Sequence, residues 1–429
     1  MSWLSDSPPW SSVKWFQWGD PHKILWIEAP TIKVTTEPIQ PVLNSELYQL
    51  KQQIELLDSK GEWEFLKRSS NPYELVFSQS QDPRIPPSVS SLRPLSRSFF
   101  KMTELLSILD FFKRRQHIPA KSLQSAHVCE GPGGFIESLL FTSEKNDTTI
   151  EAAIAMTLKP TKSNIPGWKR AYHFLRKSPM VQIIYGADDT GDITVPANQT
   201  AFLEKTKGKC SIFTADGGFD FSEHYGTQEV EVFPLLVSSS IIGLQTMNRG
   251  GDFILKMFDT ELKCTKDLIA ILAYCFDSWT LYKPALSRPC NAEKYFVGRN
   301  CRVVPPWILK TLHEIRDLTK DNKCQIKSIF AKVPPHIERD INALQKEYLD
   351  QQVAALHNAI LHKDPWNKDP QAIWKMIHDR SIGWCKQFHI PLKPFSGFGL
   401  RSFTVAPLTV GPLAASSASH TYPSDADQP

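Results

Sequence analysis

The stretch SAHVCEGPGGFIESLL, residues 125–140, decides how this chain is read. Its apolar start predicts a buried strand, the Gly/Pro run a tight turn, and the apolar spacing from Phe135 to Leu140 a helix. Glycines in such a turn tolerate positive φ and remove side chains where a ligand lies against the backbone. Glu130 sets a carboxylate at the end of the strand. Taken singly the stretch is only a strand-to-helix turn. It is neither GxGxxG followed by a ribose-binding acid nor a phosphate loop ending in GK[ST].

Outward from this turn the chain alternates. Apolar runs predict strands at 126–129, 152–157, 181–185, 210–215, 251–256, 278–282 and 294–297, with helices at 135–140, 229–247 and 263–275. Strands separated by helices imply parallel βαβ units in a doubly wound α/β sheet. Ligands of such sheets sit beyond the carboxyl ends of the strands, where this chain places Glu130, Asp188, Asp216 and Lys256. Ahead of the first strand, SRSFFKMTELL (96–106) has helical spacing with Ser96 as its N-cap.

The flanks differ in character. Residues 1–90 read as an N-terminal extension holding Trp3, Trp10, Trp15, Trp18 and Trp26, and a helical pattern over 44–66. Clustered tryptophans either stack on bases or pack on a neighbouring domain. QDPRIPPSVSSLRP (81–94) reads as a linker, residues 301–405 as a helical C-terminal region that buttresses the core, and the small, polar tail 406–429 as disordered.

Composition narrows the function classes. A chain of 429 residues, 41% hydrophobic, has material for a large core. Its net charge of +4 suits an RNA partner without demanding one. The 8 cysteines have no CxxC spacing, so buried thiols in a reducing, intracellular setting are expected rather than zinc or disulfides. No metal-ligand spacing, no secretory leader and no membrane-length apolar run is visible, and a soluble protein, not secreted, is expected.

Seven fragments now stand in order: SRSFFKMTELL, HVCEGPGGFIESLL, MTLKP, YGADDTGDIT, FTADGGFDFSEHYGTQE, GGDFILKMFD and SRPCNAEKYFV. Together, over about residues 90–300, they resemble the motifs of the FtsJ/RrmJ-like ribose 2′-O-methyltransferases, and most of all the cap-specific mRNA enzymes, including adrift-type ones. The resemblance implies a Rossmann-like sheet of the S-adenosylmethionine-dependent methyltransferase type. It also implies methylation of a ribose 2′-hydroxyl at the 5′ end of capped mRNA, with a ribosomal or transfer RNA 2′-O-methyltransferase and an inactive RNA-binding relative as alternatives.

The family's Lys-Asp-Lys-Glu tetrad carries over to Lys101, Asp216, Lys256 and Glu293. Lys256 is then the general base, its pKa expected to fall toward neutrality through burial and the neighbouring Lys101. Asp216 would orient it, and Glu293 would position Lys101 and the ribose. S-adenosyl-L-methionine would lie over Glu130, Gly131, Pro132, Gly133, Gly134 and Phe135, with Asp188 at its adenine and Asp189 or Asp192 as competitors for that task. MTLKP departs from many related folds in ending its strand without a ribose-binding carboxylate. A capped substrate calls for an aromatic ring and phosphate-binding cations. Lys159 and Trp168, in a segment that also holds Lys162, Lys169 and Arg170, and the N-terminal extension are the candidates, although Trp168 suits packing on the sheet equally well.

Overall fold

The structure, a computed structural model, describes residues 7–19, 30–37, 45–116, 122–161, 167–218, 228–320, 324–361 and 369–394. Trp3, Trp26, Lys162 and the tail 406–429 lie outside them. The strands of the core are β2 (Ser122–Val128), β3 (Thr149–Met156), β4 (Val181–Ile184), β5 (Cys210–Ala215), β6 (Met247–Met257), β7 (Phe276–Tyr282) and β8 (Lys294–Cys301). They form one sheet in the order β4-β3-β2-β5-β6-β8-β7. The chain runs outward from β2 in one direction and resumes at β5 in the other, so the turn after β2 lies at the switch point where open α/β sheets bind ligands.

The central strands are buried because both faces are covered, β5 along its whole length, whereas the edge strand β4 is half-exposed. On β6, Phe253 and Leu255 point to a core shared with α7 (Gln228–Thr246), α8 (Lys263–Cys275) and α9 (Pro306–Thr319). Ile254 between them points to the other core, with Leu105 of α3 (Ser98–Ile108) and Phe135 of α4 (Gly134–Lys145). The helix α3 begins without a side-chain cap at Arg97, and the Ser96 hydroxyl, expected to cap it, instead meets the Ser98 hydroxyl at 2.5 Å.

The parallel units expected from the alternation are β4, β3, β2, β5 and β6, while β8 is antiparallel to both β6 and β7. The reason lies in residues 283–293, which carry no helix between β7 and β8. A parallel return needs a crossover of a dozen or more residues, whereas an antiparallel one does not. The reversal brings the residue before β8 to the same edge as the residues after β5 and β6.

The flanks fold together. From the N-terminal side come β1 (Lys33–Thr35), α1 (Ser45–Asp58) and α2 (Trp63–Ser69), the expected helix of 44–66 being broken in two. From the C-terminal side come β9 (Gln325–Ser328), α10 (Pro335–Leu361) and α11 (Pro370–Gln387). β1 pairs with β9, and Leu47, Leu50 and Phe65 share a core with Leu356, Trp374 and Trp384. Residue Phe16 exchanges both backbone hydrogen bonds with Trp279 on the edge strand β7, which blunts that edge. The described tryptophans of the extension pack inward: Trp10 on Tyr73 and Phe388, Trp15 under Arg299, and Trp18 against Tyr274.

Two further helices of the core, α5 (Tyr172–Lys177) and α6 (Pro196–Thr206), escape the periodicity, α5 because it is six residues long and α6 because Phe202 is its single large buried apolar residue. No helix among the described residues is long and apolar enough to cross a membrane. Every cysteine is a free thiol, six of them buried.

Candidate functional site

Four side chains from four elements meet at the carboxyl edge of the sheet. Lys256, on β6, donates from Nζ to the backbone carbonyl of Asp216 at 2.9 Å and lies 3.3 Å from its Oδ1. Glu293 stands between the two lysines: its Oε1 accepts from Lys101 Nζ at 2.5 Å, and its Oε2 lies 3.9 Å from Lys256 Nζ. The sequence-expected tetrad is thus one cluster, with two cations and two carboxylates alternating.

The charge balance decides protonation. Burial alone would lower the Lys256 pKa, but the carboxylates of Asp216 and Glu293 outweigh it and hold that pKa above the ordinary lysine value. This corrects the expected fall toward neutrality: Glu293 separates Lys256 from Lys101, so the neighbouring charges it feels most are negative. The Glu293 carboxyl is buried, but Lys101 and Lys256 hold it well below the usual carboxylate range.

Residues that the sequence reading missed complete the site. Tyr295 faces Lys256 across the β6–β8 ladder and donates its hydroxyl to Asp216 Oδ1 at 2.8 Å. Burial and the adjacent Asp216 raise the pKa of that phenol well above normal, so it remains a donor. Ser287 donates to Glu293 Oε1 at 2.7 Å. Lys283 donates to Glu293 O at 2.8 Å and to Asn291 O and Oδ1 at 2.7 and 2.8 Å. Its own pKa is pushed down to about 7, chiefly by burial. The signal was present in the 283–293 stretch, whose polar residues sit among prolines, but it became legible only with the β6–β8 register.

Both flanks grip this loop. Glu74, fully buried, pairs with Arg97 at 3.0 Å and Arg288 at 2.9 Å, and Arg97 donates to Leu286 O at 3.0 Å. Glu104 accepts from Ala285 N at 2.9 Å and from Trp384 Nε1, on α11, at 2.7 Å. Gln352, on α10, donates to Cys290 O at 3.2 Å.

The glycine turn departs from expectation in what it makes room for. A Cβ on Gly131 would meet the Gly167 carbonyl at 2.7 Å, and one on Gly134 would meet the Ser96 and Ser98 hydroxyls inside 2.5 Å. At Gly133, φ is +104° and a Cβ would lie 3.1 Å from the Trp168 ring. These glycines admit the chain's own loops. Glu130 turns inward: it accepts from the Thr214 hydroxyl and lies 3.3 Å from His127 Nδ1, so its buried carboxylate ties β2 to β5. The ring of Phe135 is core, against Tyr295. Both side chains are thus committed to internal contacts, and within the turn Gly131 and Pro132 are half-buried while Gly133 and Gly134 are buried.

Asp188 has the opposite disposition. It is exposed, its Oδ1 accepts from the backbone and hydroxyl of Thr190 and from Asn198, and these bonds lower its pKa. Its Oδ2 has no donor among the described residues. Asp189 is paired with Lys159, and Asp192 Oδ1 is bonded by Thr194. Lys159, pinned by that pair, also lies over the Tyr185 ring. Trp168 is 6% exposed, too buried to stack on a base, which corrects its candidacy as a substrate contact. The described residues hold no group of three or more His, Cys, Asp or Glu able to bind a metal.

Comparison with known proteins adds the family. Residues 94–301 match the FtsJ-like methyltransferases. A cap-specific mRNA (nucleoside-2′-O-)-methyltransferase 1 from Xenopus laevis is 30% identical over 285 residues, 62% of this chain and 31% of that protein. The Dictyostelium discoideum protein of that name is 28% identical over 302 residues, 66% of this chain and 38% of its own length. The human one is 30% identical over 282 residues, 62% and 31%. This chain therefore spans about a third of the length of the curated relatives it matches. A solved ribosomal RNA methyltransferase from Plasmodium falciparum overlaps 48% of this chain and 97% of its own at 21% identity, with a TM-score of 0.33. With the motif order, the switch-point turn and the four-residue cluster in place, residues 94–301 are an FtsJ-like methyltransferase domain.

Proposed function

We propose that this chain transfers a methyl group from S-adenosyl-L-methionine to a ribose 2′-hydroxyl of RNA, at the first or second transcribed nucleotide of capped mRNA. The cluster of Lys101, Asp216, Lys256 and Glu293 at one sheet edge is the observation that carries the reaction; the names of the relatives support the capped substrate. The cofactor's fit rests on Asp188, whose Oδ1 is fixed by three donors while Oδ2 is left for an amino group. Gly131 and Pro132 would present backbone to the rest of it. When bound, the cofactor supplies an electrophilic methyl group on a sulfonium centre.

The chain's own residues handle the proton. Lys256 Nζ takes it from the 2′-hydroxyl, aimed by the backbone and side chain of Asp216, whose carboxylate Tyr295 fixes in turn. Lys101, held by Glu293, donates to the ribose from the other side. Because its two carboxylate neighbours keep Lys256 charged in the free protein, it must shed a proton before it can act, and methyl transfer is expected to accelerate with pH.

The test is transfer of labelled methyl from the cofactor to transcripts differing only in the cap, followed by nuclease mapping. Methyl on a ribose of capped RNA, reduced roughly a hundredfold or more in Lys256→Ala with cofactor affinity intact, is the expected result. Methyl on a base, or Lys256→Ala within tenfold of the parent, refutes the mechanism. Equal transfer to uncapped RNA returns the substrate to RNA in general.

A further inference from the structure

From residue 152 to residue 187 the chain has no Asp or Glu, and it has six Lys or Arg. Most of these charges sit on α5 and the turn before it, beside the glycine turn. Lys169, Arg170, His173, Arg176 and Lys177 are exposed, and so is Tyr172, 58% accessible. Its ring contacts among the described residues are local ones on the same helix: His173 edge-on with centroids 5.4 Å apart, and the Arg176 guanidinium, which lies 5.7 Å from the ring centroid and donates to the Tyr172 hydroxyl at 3.5 Å. Trp168 packs inward: wedged against Gly133 and Leu95, it fastens the patch to the switch-point turn. Its buried indole N–H has no acceptor among the described residues, and Trp168 lines a shallow groove together with Tyr172, Leu175 and Arg176.

We infer that this face of α5 is a platform for the single-stranded body of the RNA substrate, Tyr172 stacking on a base while Lys169, Arg170, Arg176 and Lys177 neutralise phosphates. The inference rests on the RNA reading of the site and names where the chain of the substrate runs. Ring stacking is tolerant of base identity, and cations supply the salt-dependent part of the affinity. A methylated guanine is a poor occupant: it is itself a cation, and the patch offers it like charges and no carboxylate. The cap's contacts therefore lie elsewhere.

The experiment measures binding of the full chain to an uncapped twelve-nucleotide RNA by fluorescence anisotropy across a salt series. The fourfold variant Lys169→Gln, Arg170→Gln, Arg176→Gln, Lys177→Gln should flatten the slope of log affinity against log salt by up to about 3, four phosphates at about 0.7 each. Tyr172→Ala should weaken binding roughly tenfold without changing the slope, and Tyr172→Phe should restore it. Methyl transfer to capped and uncapped transcripts should fall together through KM. Unchanged affinity and slope overturn the inference, as does a loss confined to capped transcripts, which would make the patch a cap site. A parent protein that binds RNA through this face yet transfers no methyl group would sink the enzymatic reading and leave the platform standing. Normal methyl transfer with unaltered RNA affinity in the variants would do the reverse.

Discussion

Replacing Glu293 by Gln keeps the shape of the side chain and removes one negative charge from a cluster that is otherwise neutral. Glu293 accepts from Lys101 at 2.5 Å and Ser287 at 2.7 Å, with Lys256 at 3.9 Å, and it is 7% exposed. In the variant Lys256 keeps Asp216, and Lys101 loses its carboxylate partner. Removing one partner of a buried pair costs about 3 to 5 kcal/mol, comparable with the roughly 4 kcal/mol of two charges 4 Å apart at an effective dielectric of 20. That loss should appear in urea unfolding near neutral pH.

Its pH window follows from the shifts. The depressed Glu293 pKa contributes stability above the unfolded carboxyl value of about 4.3, lost as pH falls through the folded value. The raised Lys256 pKa contributes stability present below about 10.4, lost as pH rises through the folded value. The gap between parent and Glu293→Gln is therefore widest between these limits. The kinetic consequence is sharper. With one of its two carboxylates gone, Lys256 releases its proton at lower pH, so the half-maximal pH for methyl transfer should move down even as the maximal rate falls. A half-maximal pH that stays in place or moves up would refute Lys256 as the titrating base.

Two other substitutions test the surroundings. Gly133→Val puts a β-branched residue at φ +104° and a Cβ 3.1 Å from Trp168, so the fold itself should lose about 1 to 3 kcal/mol or more, read as a lower Tm without cofactor; lost cofactor binding with an unchanged Tm would contradict this. Lys283→Met keeps the buried stem but strips the Asn291 and Glu293 carbonyls of their donor, which should cost about 1 to 3 kcal/mol and lower kcat more than cofactor affinity; an unaltered kcat would show that Lys283 does not position Glu293.

The strands and the residues ending them were legible because apolar runs have clear limits and parallel strands open on one edge. Glu293 was not legible in that way, since it precedes its strand; it reached the site through resemblance, and the antiparallel return of β8 explains why it belongs there. The length of 283–293, too short for a crossover, could have announced that return. Which way a side chain turns was less readable. Glu130 and Phe135 look alike as members of a ligand turn, yet one meets Thr214 and His127 and the other Tyr295. Ser125 and His127, two apart on a buried strand, trace a polar stripe that leads to Glu130; it was a usable sign. Tyr295 and Lys283 needed a register and a loop path that no local pattern encodes.

The loop that carries Glu293 is clasped by Glu74 from one end of the chain and by Trp384 and Gln352 from the other. An excised fragment of residues 94–301 would keep all four members of the cluster and lose their clamps. Arg97 and Arg288 would face each other without the carboxylate between them, and Glu104 would keep Ala285 N and the Tyr282 hydroxyl on Oε1 but lose the indole that donates to Oε2. Synthesis imposes the same dependence in time: until α11 has left the ribosome, the edge that carries the four-residue cluster has its residues but not its clamps, so its final geometry arrives only after more than eighty further residues beyond the matched domain have been made.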